Sequence, residues 1–95
     1  MSADLRYRVT WSRKAMNVLK DQGKMARELG RGIELARVVR VIDERLRSAP
    51  TTFGEVYRSR GAIEEFLAVQ EFVAIDFAVD VERKFVLVRD CHILS

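Results

Sequence analysis

Leu5, Tyr7, Val9 and Trp11 alternate with Arg6, Arg8 and Thr10, the period-two pattern of a strand with one apolar and one polar face. The spacing predicts a strand over 5–11. Ser12 follows at once and is a helix-capping residue. Beyond it Ala15, Leu19, Gln22, Ala26 and Leu29 recur at three-and-four spacing, with Gln22 the one polar lapse. Gly23 weakens or bends that helix. Gly30 and Gly32 mark a tight connection, after which Leu35, Val38, Val39, Ile42 and Leu46 form a second apolar stripe. Pro50 ends it, because proline lacks the amide hydrogen that a continuing helix needs. The pattern therefore predicts two helices packed as a hairpin.

A polar loop over 51–54 leads to three runs rich in Val, Ile and Phe, at 62–69, 72–80 and 85–94. In the second run Val73, Ile75, Phe77 and Val79 share one face, and Ala74, Asp76 and Ala78 share the other. One side of the sheet is thus expected to pack on the helices. The polar residues 80–84 suit a hairpin connection. The expected fold is α+β: an N-terminal strand, a two-helix hairpin and a three-stranded antiparallel meander. At 95 residues the chain has room for one modest core, so a single domain over 1–95 is expected.

A hydrophobic share of 48% beside 33% charged residues excludes a disordered chain and a membrane-spanning one. No apolar run approaches the roughly 20 residues that cross a bilayer. The segment 1–8 lacks the apolar core of a secretory signal, so a cytoplasmic protein is expected. Cys91 is the lone cysteine and has only His92 beside it, which leaves no internal disulfide and no structural zinc site. Neither a metal nor a cofactor is expected.

The net charge of +3 is unevenly spread. Residues 1–50 carry a balance of +6 and residues 51–95 a balance of −3. Arg31, Arg37, Arg40, Arg45 and Arg47 fall mostly off the apolar stripe of the second helix, which suits a solvated face as well as a nucleic-acid stripe. Glu64, Glu65, Asp76 and Asp90 set the sheet half against a polyanion.

Several local patterns converge on one family. Tyr7-Arg8-Val9-Thr10-Trp11-Ser12, followed by Ala15 and Leu19, resembles the opening strand and helix of the RelE/ParE superfamily of type II toxins. The segment Ile42-Asp43-Glu44-Arg45-Leu46, then Ala49-Pro50, Gly54-Glu55, Arg58 and Arg60, resembles the end of its second helix and the loop beyond. Phe77-Ala78-Val79-Asp80 with Phe85-Val86-Leu87-Val88-Arg89 resembles its closing strands. The resemblance implies a RelE/ParE-like β-α-α-β-β-β fold, a cognate antitoxin as partner, and one of two activities. The first is metal-independent cleavage of messenger RNA on the ribosome, as an mRNA interferase that inhibits translation; the second is a non-catalytic contact with DNA gyrase.

Ribonucleolytic chemistry needs a group that takes a proton from the ribose 2′-hydroxyl, a group that protonates the leaving oxygen, and cations at the phosphate. The resemblance implies that Arg89 and His92 on the last strand, with Arg58 and Arg60 just before the first of the three runs, form that site. Regular strand alternation puts Arg89 and His92 on opposite faces unless a bulge intervenes. Residue by residue, plainer roles stand beside these: a surface ion pair for Arg89, terminal packing for His92, a solvated loop for Arg58 and Arg60. Glu64 or Glu65 suits a general base or strand-edge solubility. In one departure, Val73 stands where the ribonuclease branch carries an Arg. The sequence leaves open a ribosome-dependent endoribonuclease, or a catalytically inactive or gyrase-type module acting by protein–protein binding. The oligomeric state is open too.

Overall fold

In the computed structural model, which describes residues 6–94, the alternating N-terminal run forms a short strand, β1 (Arg8–Trp11). Leu5 lies outside the described residues. Ser12 then caps helix α1 (Arg13–Glu28): its Oγ accepts from the Ala15 amide at 3.1 Å. The same hydroxyl donates to the Arg89 carbonyl at 2.9 Å, and the Ser12 amide donates to the Val88 carbonyl at 2.8 Å. One residue thus starts a helix and clamps the last strand.

Helix α1 closes in a Schellman motif, with Arg31 N–H donating to Ala26 O at 2.6 Å and Gly30 N–H to Arg27 O at 3.1 Å. That geometry places Gly30 at φ +76°, where a side chain would be strained. Helix α2 (Gly32–Ser48) runs back to Pro50, which opens a single 3-10 turn, Pro50–Thr52. No helix among the described residues is long and apolar enough to cross a membrane.

Four strands follow, one more than the sequence predicts: β2 (Glu55–Arg60), β3 (Ile63–Gln70), β4 (Val73–Asp80) and β5 (Phe85–Ile93). They form one sheet in the order β1-β5-β4-β3-β2, with β1 parallel to β5 and every other pair antiparallel. The meander is as expected but begins a strand earlier. All six residues of β2 are exposed; an edge strand with no buried face carries no apolar alternation to reveal it. Gly54, at φ +92°, leads into β2 where a Cβ would lie 2.3 Å from the Leu67 carbonyl oxygen, so the chain passes there only without a side chain.

The helices cover one face of the sheet. Val73, Ile75, Phe77 and Val79 of β4 are buried, as are Leu35, Val38, Ile42 and Leu46 of α2. Phe77 stacks between Phe66 and Phe53, with ring centroids at 5.1 and 6.1 Å. The stripe of α1 is shallower: Ala15 is buried, Leu19, Gln22 and Ala26 are half-buried, and Leu29 at the C-cap is exposed. Among the described residues no helix lies on the other face of the sheet.

Ser12→Ala removes the cap and the bond to the Arg89 carbonyl together. It should lower unfolding free energy by about 1–2 kcal/mol, read as a shift in the urea midpoint at unchanged m-value.

Candidate functional site

The helix-free face is read in rows from the strand register. Arg8, Phe85, Asp80, Ile63 and Arg60 make one row, and Thr10, Leu87, Ala78, Glu65 and Arg58 the next. Two irregularities interrupt this pattern. In β2 the pairing jumps from Val56 to Arg58, leaving Tyr57 as an extra residue. In β5 it jumps across Arg89, so that Asp76 faces Asp90 and Phe77 faces Val88. A bulge inserts one unpaired residue and resets the alternation. Val86, Val88 and Cys91 can therefore all face the core, while Arg89 and His92 both lie on the open face. The parity conflict in the sequence is resolved by this bulge.

The bulges aim Tyr57 and Arg89 at the same spot. Arg89 Nη2 lies 2.5 Å from the Tyr57 hydroxyl, 2.7 Å from Glu65 Oε1 and 2.9 Å from Asp76 Oδ1. Two hydrogens serve three acceptors, so the group shares its donation among them. Tyr57 in turn donates to Asp76 Oδ1 at 2.9 Å. Arg58 Nε and Arg60 Nη2 approach Glu65 Oε2 from the edge at 3.8 and 3.6 Å. These are loose contacts, and both arginines are largely exposed, whereas the Glu65 side chain is only 7% exposed.

The electrostatics follow from that geometry. The hydrogen bond from Arg89, reinforced by its charge and by Arg58 and Arg60, holds the Glu65 carboxyl below its usual range against the opposing effect of burial. The hydrogen bonds that Arg89 donates to Asp76 and Glu65, with the charge of Asp76, fix it as a cation against the effect of burial. Desolvation, then the bond to Asp76, pushes the Tyr57 phenol upward, so it stays protonated at neutral pH. The cluster thus holds an ionised carboxylate, a protonated phenol and two loosely held cations.

Arg58 and Arg60 lie on a strand rather than in the expected loop. His92 is apart from the cluster: it faces a hollow of about 320 Å³ that it lines with Leu67, Val69, Ala74, Asp76 and Asp90. Glu64, opposite Val79, belongs to the helix-facing side. Val73 is fully buried, so no residue at that position could reach the open face. Tyr57 and Asp76 are the members that sequence reasoning missed; the signal was the β-prone Val56-Tyr57 pair, hidden in an unrecognised edge strand. Asp90 is engaged elsewhere, accepting from the Cys91 amide at 2.8 Å and pairing with Lys14 at 3.2 Å. Among the described residues no three His, Cys, Asp or Glu converge as metal ligands.

No family model matches the chain, and no curated protein matches its sequence. Among solved structures it resembles the archaeal RelE of the RelE–RelB complex from Pyrococcus horikoshii OT3, with a TM-score of 0.70 and 14% sequence identity. The match covers 92% of this chain and 93% of that one. The chain has a RelE-like fold, as its strand-helix-helix-sheet order implies.

Two outcomes test the site's electrostatics. Because the folded-state value of Glu65 is depressed, its stabilising contribution is complete above the ordinary value of about 4.3 and is lost as pH falls through the lower folded value. Glu65→Gln should therefore flatten the acid limb of the stability–pH curve below about pH 4, measured by urea unfolding across pH. Burial, with help from the Asp90 charge, pushes the Cys91 thiol up to about 11. A thiol reagent at pH 7 should leave Cys91 unmodified in the folded protein and label it fully in denaturant.

Proposed function

We propose that this chain is the toxin of a type II toxin–antitoxin pair and a metal-independent endoribonuclease acting on messenger RNA at the ribosome. The observation that carries the reading is the convergence of Arg58, Arg60 and Arg89 on Glu65, beside Tyr57, on the open face of a RelE-like sheet. In this reading Glu65 accepts the 2′-hydroxyl proton, and the resulting oxyanion attacks phosphorus. Arg58 and Arg60 meet the charge developing on the phosphate. The 5′-oxygen leaves with a proton from Tyr57, whose hydroxyl lies 3.5 Å from Glu65 Oε1. Arg89 acts as an anchor: its Nη2 is committed to Asp76, Tyr57 and Glu65, and it holds the proton acceptor in place.

The low basicity of resting Glu65 fits this scheme. Part of its depression is due to Arg58 and Arg60. A phosphate drawn between those two cations offsets their field and raises the basicity of Glu65 when substrate is in place.

The antitoxin belongs on the helix side. Trp11, Leu19, Leu35 and Val39 line an open groove of about 790 Å³ between the helices, rimmed by Arg27 and Arg40. Ile33 at its border is 90% exposed. An amphipathic helix with acidic flanks fits that apolar floor and basic rim.

A second reading, a protein-binding module without chemistry, rests on the commitment of Arg89 to two carboxylates. Primer extension on messages from cells making the protein separates the two. Wild-type protein should produce new cuts within translated codons, and Glu65→Gln should cut at least about 100-fold more slowly, the usual contribution of a general base. An uncut message with a recovered acidic partner selects the binding module.

A further inference from the structure

Where β1 begins, the sheet ends in a hollow that the proposed reaction does not use. It measures about 680 Å³, and Arg6, Arg8, Arg47, Arg83 and Lys84 line it. The cations come from four places: the lead into β1 and β1 itself, the last turn of α2, and the β4–β5 turn. Lys84 adopts φ +56° and sets its ammonium 4.8 Å from the centre of the Tyr7 ring. The Phe85 ring lines the same hollow.

Some of this charge is committed. Arg6 pairs with Glu44 at 2.8 Å and Arg47 with Asp43 at 2.7 Å. The one carboxylate lining the hollow, Asp80, accepts from the Glu82 and Arg83 amides at 3.1 and 2.9 Å and has the Arg83 side chain at 3.9 Å. Arg8 and Lys84 have no carboxylate within ion-pair distance among the described residues. Two cations with no carboxylate partner, in a concave site beside two aromatic rings, match a chain that alternates anionic phosphates with flat bases.

The position of the hollow gives that chain a direction. Arg8 and Arg60 are the two ends of one cross-strand row, through Phe85, Asp80 and Ile63. Four inter-strand steps separate them, roughly 19 Å, so a strand held at Arg60 reaches the hollow across the end of the open face.

We propose that this hollow is a second RNA contact, in which Arg8 and Lys84 hold backbone phosphates of a single-stranded segment flanking the scissile bond, with Tyr7 and Phe85 as apolar walls for its bases. The substrate class rests on the ribonuclease reading; the pocket itself is tested by binding, independently of cutting. The probe is a fluorescein-labelled oligouridylate, titrated with purified protein between about 50 and 200 mM salt. Against wild type, Arg8→Gln/Lys84→Gln should bind about tenfold or more weakly at the lower salt. The slope of log affinity against log salt should fall by about 1.4, for two lost contacts to a single strand. Circular dichroism should show wild type and the double variant alike folded.

Unchanged affinity and slope in the double variant overturn the pocket while leaving the ribonuclease reading intact. Wild-type protein that binds no RNA overturns it too. Loss of an acidic protein partner, with RNA binding retained, reassigns the hollow to that partner and also overturns the proposal. RNA binding through Arg8 and Lys84 by a protein that cuts nothing upholds the pocket and removes the ribonuclease reading.

Discussion

One extra residue in β5 decides what the open face can do. Without the bulge at Arg89, the alternation that buries Val86 and Val88 would bury Asp90 and His92 and turn Cys91 outward. With it, Cys91 enters the core and Arg89 projects over Glu65 and Asp76. The distortion is fastened on both sides. Ser12 takes the carbonyls of Val88 and Arg89, and the Asp90 carboxylate takes the Cys91 amide while Lys14 holds its other oxygen. Both fasteners reach the bulge from the start of α1, so the first turn of a helix on one face sets the position of an arginine on the other.

That arrangement settles the charge conflict between the two halves of the chain. Three of the four acids that looked hostile to a polyanion are paired, Glu65 and Asp76 with Arg89 and Asp90 with Lys14, while Glu64 belongs to the helix-facing side; Glu71 makes a two-pronged contact with Arg37. Two of these counter-cations come from the basic helical half. Glu65 and Asp76 also depend on Arg89, because without it two carboxylates would share a largely buried space. Replacing Arg89 by Ala therefore mixes a fold defect with any loss of function, and Arg89→Lys is the cleaner substitution, keeping charge while losing the fork geometry.

The order of elements was legible because it rests on periodicities that burial enforces. The face shared by Val73, Ile75, Phe77 and Val79, and the stripe from Leu35 to Leu46, are where the core sits. The site was legible only in part, since its residues answer to other constraints. Strand β2 has no buried face to leave a pattern, so Tyr57 was passed over and Arg58 and Arg60 were read as loop residues. A bulge has no periodic signature, so the shared face of Arg89 and His92 was seen only as a condition. Glu65 looked like any strand-edge acid; its burial is made by side chains from three other strands, none adjacent to it in sequence.

If the chain is the toxin proposed above, placing the cluster and the helical groove on opposite faces constrains how an antitoxin could silence it. The hairpin packs on the face that buries Phe77, and the Glu65 cluster lies on the other. One straight helix seated between α1 and α2 touches none of Tyr57, Glu65 or Asp76. A partner that covers both must continue past an edge of the sheet. The edge strand β2 offers the direct way, because it lies beside the cluster and its outer backbone groups have no strand neighbour among the described residues. An extended segment added there would pair with that backbone and bring its side chains against Arg58 and Arg60, the two cations that the cluster holds most loosely.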